Sequence, residues 1–146
     1  MLQETLYSML ATLGFAIIFN IRGKNILYAS LGGALAWFSY LLFQKLNFSI
    51  SAANFMASII IGIYSEVMAR INKAPVTVYV VCSLIPLVPG GGMYYTMFES
   101  ITGSLDKALR LGVETISSAG ALAIGVLLIS SISRLLSQAN QKRKSY

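Results

Sequence analysis

The sequence predicts an all-α integral membrane protein: one transmembrane helical domain over residues 1–136, with about five transmembrane helices, the fourth broken at a proline/glycine elbow. Three observations predict it. Hydrophobic residues make up 56% and charged residues 11% of 146 positions, with mean hydropathy +0.72, more apolar surface than one small soluble core can hide. The charges cluster in short stretches between uncharged runs long enough to cross a bilayer. The run Pro86-Leu-Val-Pro-Gly-Gly-Gly-Met-Tyr-Tyr95 lies inside an uncharged segment from Ala74 to Phe98.

Leu6 to Ile21 is apolar apart from small polar residues and Asn20, and nothing basic precedes it. A cleaved secretory signal carries a positive start and a small-residue cleavage site, so this run reads as a retained first span. Arg22 and Lys24 close it around Gly23. Ile26 to Phe43 offers eighteen uncharged residues for the second span, with Trp37 and Tyr40 suited to its approach to the membrane interface. After Lys45 and Asn47, Leu46 to Ser65 supplies twenty uncharged residues for the third, ending in Glu66, Arg70 and Lys73. The broken fourth span runs from Ala74 to Thr102. A polar connector holding Asp106, Lys107 and Arg110 leads to the fifth, Thr115 to Ser133, which stops at Arg134. Residues 137–146, with Lys142, Arg143 and Lys144, are expected to form a short, mobile, basic cytoplasmic tail.

In the fourth span each proline removes a backbone donor and clashes with the preceding turn, while glycines let the chain leave helical geometry without steric cost. Two half-helices joined by an irregular elbow are expected. Unpaired peptide groups cost several kcal/mol in hydrocarbon, so such an elbow persists only against protein or beside a polar cavity, where membrane carriers hold substrate. Pro86, Pro89, Gly90, Gly91, Gly92, Tyr94 and Tyr95 are therefore the candidate substrate-binding residues. The second half-helix would present free amides and a positive dipole end near the midplane, where a carboxylate can bind. A tyrosine hydroxyl there either adds a hydrogen bond to the ligand or braces the elbow.

Four acidic or basic residues are candidates for coupling or gating: Glu66, Arg70, Glu99 and Glu114. Glu66 and Arg70 stand four apart in the favourable order for a pair on one helix face. They read either as a structural salt bridge or as a gate, with Glu66 a protonatable group, since acids inside a membrane are costly and usually functional. Glu99 and Glu114 lie toward the opposite side, suited to binding a proton or guarding an exit.

Small residues recur where helices can approach: Ser30, Gly32, Gly33 and Ala34 in the second span, Ser58 and Gly62 in the third, Ser117, Ala121 and Gly125 in the fifth. At about 100° per residue, Asn54, Ser58 and Ser65 share a face, as do Glu114, Ser118, Ala121 and Gly125. Such stripes face protein or a cavity.

Net charge is +6, yet no basic face with interleaved aromatics can be drawn, which argues against nucleic acid. The chain has no histidine and a single cysteine, Cys82, placed mid-span as a buried thiol. No metal, cofactor or nucleophile–base chemistry is expected, and an enzyme is disfavoured. The first and third loops with the tail hold eight lysines and arginines against three in the others, placing the amino terminus outside and the tail inside. If the elbow instead returns to its own side as a re-entrant hairpin, the crossings number four and both ends share a side.

The pattern Glu66, Ala69-Arg70, Pro75, then Pro86-Leu-Val-Pro-Gly90 and Tyr94 resembles the threonine/serine exporter family, and more narrowly the small integral-membrane subunit of its split, two-component form. The resemblance implies a bacterial cytoplasmic (inner) membrane exporter of small carboxylate-bearing metabolites, threonine and serine or succinate-type dicarboxylates, driven by the proton gradient. It carries over onto Glu66, Arg70, Pro86, Pro89, Gly90 and Tyr94. A larger membrane subunit of the same family would be its partner, because the large hydrophilic domain and additional spans of single-chain members are not in this sequence. A homo-oligomer is a further arrangement that fits. The other reading is a non-transporting membrane scaffold that stabilises a partner.

Overall fold

The interior is built from small side chains and the exterior from large ones. The computed structural model describes the backbone of residues 1–103 and 105–144 and the side chains of 1–103 and 105–136. Within that range the buried positions are mostly alanine, serine and threonine, and Tyr79 and Ile61 are the largest fully buried side chains, while leucines, isoleucines and phenylalanines point outward. A soluble core would be the reverse. In lipid, helices gain nothing by hiding leucine and much by close backbone contact across small residues.

The helices are α1 (Leu2–Ile18), α2 (Asn25–Lys45), α3 (Ile50–Asn72), α4 (Val76–Leu84), α5 (Gly90–Thr102) and α6 (Leu105–Lys144), with a 3-10 turn at Ile85–Leu87. α2, α3 and residues 105–136 of α6 are each long and apolar enough to cross a membrane, and α4 with its 3-10 turn plus α5 makes a fourth crossing bent by 45°. The 17-residue α1 is a shorter apolar helix, at the lower end of the roughly 17–25 residues used for spans.

Local chemistry sets the boundaries, several of which differ from the sequence expectation. Asn20 (φ +55°) and Gly23 (φ +64°) turn the chain between α1 and α2. α3 begins at Ile50 rather than Leu46 because Asn47 is left-handed and Ser49 caps the helix, accepting from the Ala52 amide at 3.3 Å. Lys73, also left-handed, ends it before Pro75. The expected polar connector before Thr115 is helix: α6 starts at Leu105, directly after the turn at Gly103 (φ +103°). Asp106, Arg110 and Glu114 recur every four residues with Ala108 buried between them, so this stretch is a helix with a polar face. The basic tail begins where side-chain description ends, so its expected role lies outside the described residues.

α2 sits centrally against α1, α3 and α4, and α6 covers α3. Close approach explains the small residues. A methyl on Gly33 would strike the Thr12 hydroxyl, one on Gly32 the Ser83 hydroxyl, and one on Gly62 would come within 2.9 Å of Ile129. Ser8 adds a hydrogen bond from its hydroxyl to the Gly33 carbonyl at 2.8 Å.

The direction of α6 resolves the elbow's topology. Asn54 meets Ser118, Ser58 meets Gly125, Gly62 meets Ile129 and Glu66 meets Ser133, so residue numbers rise together and α3 and α6 run parallel. A re-entrant return by α5 would have made them antiparallel. The 45° bend is a broken crossing.

Candidate functional site

The break lies at the prolines, and the glycines follow it. Pro86 sits inside the 3-10 turn, Val88 is extended, and Pro89 caps α5 with φ −76° and ψ 55°. Gly90, Gly91 and Gly92 form the first turn of α5, so they do not unwind the chain as expected. They strip side chains from a helix start. The Gly90 amide bonds the Val88 carbonyl at 2.7 Å and the Met93 amide bonds Pro89 at 3.1 Å, leaving the Gly91 and Gly92 amides as the orphan donors of a helix terminus.

Two cavities flank that terminus. One, about 220 Å³, is lined by Trp37, Tyr40, Asn54, Pro86, Gly91 and Ser118 among others. The other, about 360 Å³, is lined by Gly92, Tyr95, Glu114 and Thr115. They share Ile50, Pro89, Gly91 and Ser118. The amides, the elbow and both cavities thus form one locus, of the size range in which small ligands bind.

Along its own crossing the elbow is central, with the twelve residues of α4 and its 3-10 turn before it and the thirteen of α5 after it. Its neighbours Trp37 and Tyr40 lie in the latter half of α2, and Ile50 and Asn54 in the first turns of α3. α4 and its 3-10 turn together hold only twelve residues, about 18 Å at roughly 1.5 Å each, measured from the end of the bundle where α3 finishes. Within the bundle the break thus stands level with the end where α2 gives way to α3, and α5 continues from there along the first part of α6.

Trp37 and Tyr40 form an inner wall of the smaller cavity. Their rings pack together at 5.3 Å between centroids and rest against the cluster of Ala36, Ala57, Ile61 and Leu87. Asn54 is buried at 3% exposure and donates through Nδ2 to Ser118 Oγ across the α3–α6 interface. Asn54 Oδ1 and Trp37 Nε1 are buried with no hydrogen-bond partner among the described residues. Each such orphan costs about 1–3 kcal/mol unless something pairs with it.

The tyrosines after the glycines separate. Tyr95 lines the larger cavity, whereas Tyr94 stacks on Phe98 at 6.2 Å and lies 63% exposed on α5, away from both cavities' walls. Glu114 joins the site on α6; Glu99, on α5, does not line it.

Glu66 and Arg70 form a second locus at the other end of α3. Twelve residues separate Glu66 from Asn54, about 18 Å along the helix at roughly 1.5 Å per residue. Glu66 Oε2 accepts from the Ser133 hydroxyl at 2.5 Å, Arg70 donates to the same hydroxyl at 3.0 Å, and the ion pair itself spans 3.8 Å. Thr77, Ser130 and Arg134 help to line a cavity of about 380 Å³ beside them. Apart from Tyr94 and Glu99, the sequence-predicted residues thus divide between two loci at different levels of the α3–α6 pair.

Sequence reasoning puts Asn54 and Ser118 on polar stripes of two different helices without pairing them, and reads Trp37 as an interface anchor. The stripes are the available signal, since Asn54 on α3 and Ser118 on α6 are buried against each other.

Among protein-family models, residues 4–132 match one described as Threonine/Serine exporter, ThrE. No solved structure matches the chain.

Proposed function

Because the chain belongs to the threonine/serine exporter family, we propose that it is the small membrane subunit of a two-component secondary exporter of carboxylate-bearing metabolites, threonine and serine or succinate-type acids. A larger membrane subunit supplies the rest of the path, and the proton gradient drives it. The observation that carries this reading is the start of α5: three side-chain-free residues present two unpaired amides to cavities inside a bent crossing. Orphan amides at a helix start bind carboxylates without needing a fixed cation, which would hold the ligand too tightly to release.

Glu66 suits the coupling role. Its side chain is only 19% exposed, and an acid in that setting is retained for function or pairing. The positive-inside count puts Glu66, Arg70 and Arg134 at the cytoplasmic end and the elbow toward the outside. Substrate would then enter past the charged end and meet the α5 amides on its way out.

The test is efflux of threonine, serine and succinate from cells expressing this chain with and without a larger membrane subunit. Lowered internal pools that depend on Pro89 and Glu66, in variants that still assemble, are the expected result. Pools unchanged in every arrangement would overturn the reading. A scaffold would fail only when assembly fails.

A further inference from the structure

We propose that the cleft between α4 and α6 holds one anionic phospholipid, its phosphate between Arg70 and Arg134 and an acyl chain laid along the cleft toward the elbow. This site does not depend on what the protein exports.

The cleft exists because α4 and α6 each pack on α3 but, among the described residues, scarcely on each other. Two cavities follow one another between these antiparallel helices. The first, about 380 Å³, has Arg70, Arg134, Thr77 and Ser130 in its walls. The second, about 460 Å³, is walled by apolar side chains throughout, Leu84, Val88, Ala123 and Leu127 among them. Val80 in the first and Leu84 in the second stand a turn apart on α4, as Ser130 and Leu127 do on α6. The cleft is therefore charged at one end and apolar along the rest.

Charge favours an anion at the first end. Of the chain's five acids only Glu66 stands there: Glu4 lies beside Trp37 and Pro86, Glu114 lines the elbow cavity, and Glu99 and Asp106 belong to α5 and the start of α6. Glu66 already pairs with Ser133 and Arg70, while Arg134 makes no ion pair among the described residues. One carboxylate against two guanidiniums leaves a positive mouth, and the guanidinium fork matches phosphate oxygens. Basic pockets between membrane helices hold anionic lipid headgroups in this way.

Length favours a lipid over a free anion. Thr77 and Pro89 are twelve residues apart, about 18 Å at roughly 1.5 Å each. One leaflet, half of a hydrocarbon core of about 30 Å, is roughly 15 Å deep. A phosphate at the arginines thus lays an acyl chain over the second cavity and ends it near the elbow. A free anion would leave that apolar stretch unused.

The experiment titrates the full chain in detergent micelles with phosphatidylglycerol or phosphatidylcholine, with and without inorganic phosphate, and counts retained lipid by native mass spectrometry. One phosphatidylglycerol per chain is expected at concentrations about tenfold below those that load phosphatidylcholine. Arg134→Gln should weaken phosphatidylglycerol about fivefold, the effect of one basic residue near an anionic headgroup. Ala123→Phe sets a ring in the apolar cavity from an exposed position, leaves the charge untouched and should weaken both lipids about fivefold. The comparison of the two lipids on the unaltered chain keeps the test valid if a variant does not fold. Equal loading of the two lipids, loading indifferent to either variant, or displacement by inorganic phosphate at the lipid's own concentration would each overturn the proposal. Ala123→Phe that spares lipid loading but blocks assembly with a larger membrane subunit would assign the cleft to a partner helix instead, and the proposal would fall.

Discussion

Ser133 holds Glu66 more closely than Arg70 does. The serine hydroxyl donates to the carboxylate at 2.5 Å while the guanidinium stands 3.8 Å away and reaches it chiefly through that same hydroxyl. Arg70 is 59% exposed, and exposed ion pairs are worth about 0–1 kcal/mol. A hydrogen bond to a charged group is worth about 1.5–3 kcal/mol. Ser133→Ala is therefore expected to destabilise the protein more than Arg70→Ala, and to change efflux where Glu66 acts in coupling. Thermal unfolding in detergent and efflux rates check both. A larger loss from Arg70→Ala would show that the ion pair, and not the serine, holds the acid.

The α3–α6 seam is close enough to be tested by a single methyl. A Cβ on Gly125 would strike Ser58 Oγ and approach the Phe55 carbonyl at 3.1 Å. Gly125→Ala is expected to cost about 1–3 kcal/mol by overpacking. Adding Ser58→Ala removes the first clash and leaves the second, so the double variant should recover part of the loss and fall short of additivity. Gly120→Ala, with open space around it, is the control and should unfold no earlier than the parent.

Much of this seam is legible in one dimension. Ser58 and Gly62 on one span, and Gly125 on another, stand at the four-residue spacing of a packing face, and the structure sets those faces together. What periodicity does not encode is which face meets which. Asn54 and Ser118 each belong to a polar stripe visible in the sequence, yet their pairing needs the parallel course of α3 and α6. The break at Pro86 to Pro89 follows from ring chemistry that holds anywhere. The role of the glycines does not, because glycine permits both an unwound turn and a bare helix start, and tertiary context selects the second. The start of α6 is hidden for a different reason. Asp106, Lys107 and Arg110 look like loop charge in a hydropathy profile, but with Leu105, Ala108, Leu109 and Leu111 beside them they form a helix that extends past the start of α3, alongside α5. Ser118 is thirteen residues into α6, whereas its partner Asn54 is four into α3, an overhang of nine residues or about 13 Å at roughly 1.5 Å each.

Cys82 lies on α4 one turn before Pro86 and lines neither elbow cavity, 1% exposed among Ala16, Ala29, Ala69 and Tyr79. A membrane-impermeant maleimide is expected to leave it unmodified in the folded protein, with or without serine or succinate, and to modify it once the chain is denatured. Mass spectrometry of the intact chain reads the outcome. Rapid labelling in the folded state would mean that water reaches the α2–α4 interior, which then could not be the dry packing that this burial implies.

The three glycines at the start of α5 separate helix stability from transport. A methyl added at Gly90 or Gly91 would have nothing within 4 Å, while one on Gly92 would strike Thr115 Oγ1. Alanine is better than glycine inside a helix by about 0.5–1 kcal/mol, so Gly91→Ala should melt at the same temperature as the parent or above it. Gly92→Ala should melt below it and recover when Thr115→Ala is added, because that change removes the clashing hydroxyl. If packing were the only demand on this turn, Gly91→Ala would be the best-tolerated variant in the chain. Its methyl, however, stands at the wall shared by both cavities, beside an orphan amide. Efflux is therefore expected to fall several-fold in Gly91→Ala while stability holds or rises. Unchanged efflux would mean that no ligand approaches that backbone closely, and the α5 start would lose its claim to be the carboxylate site.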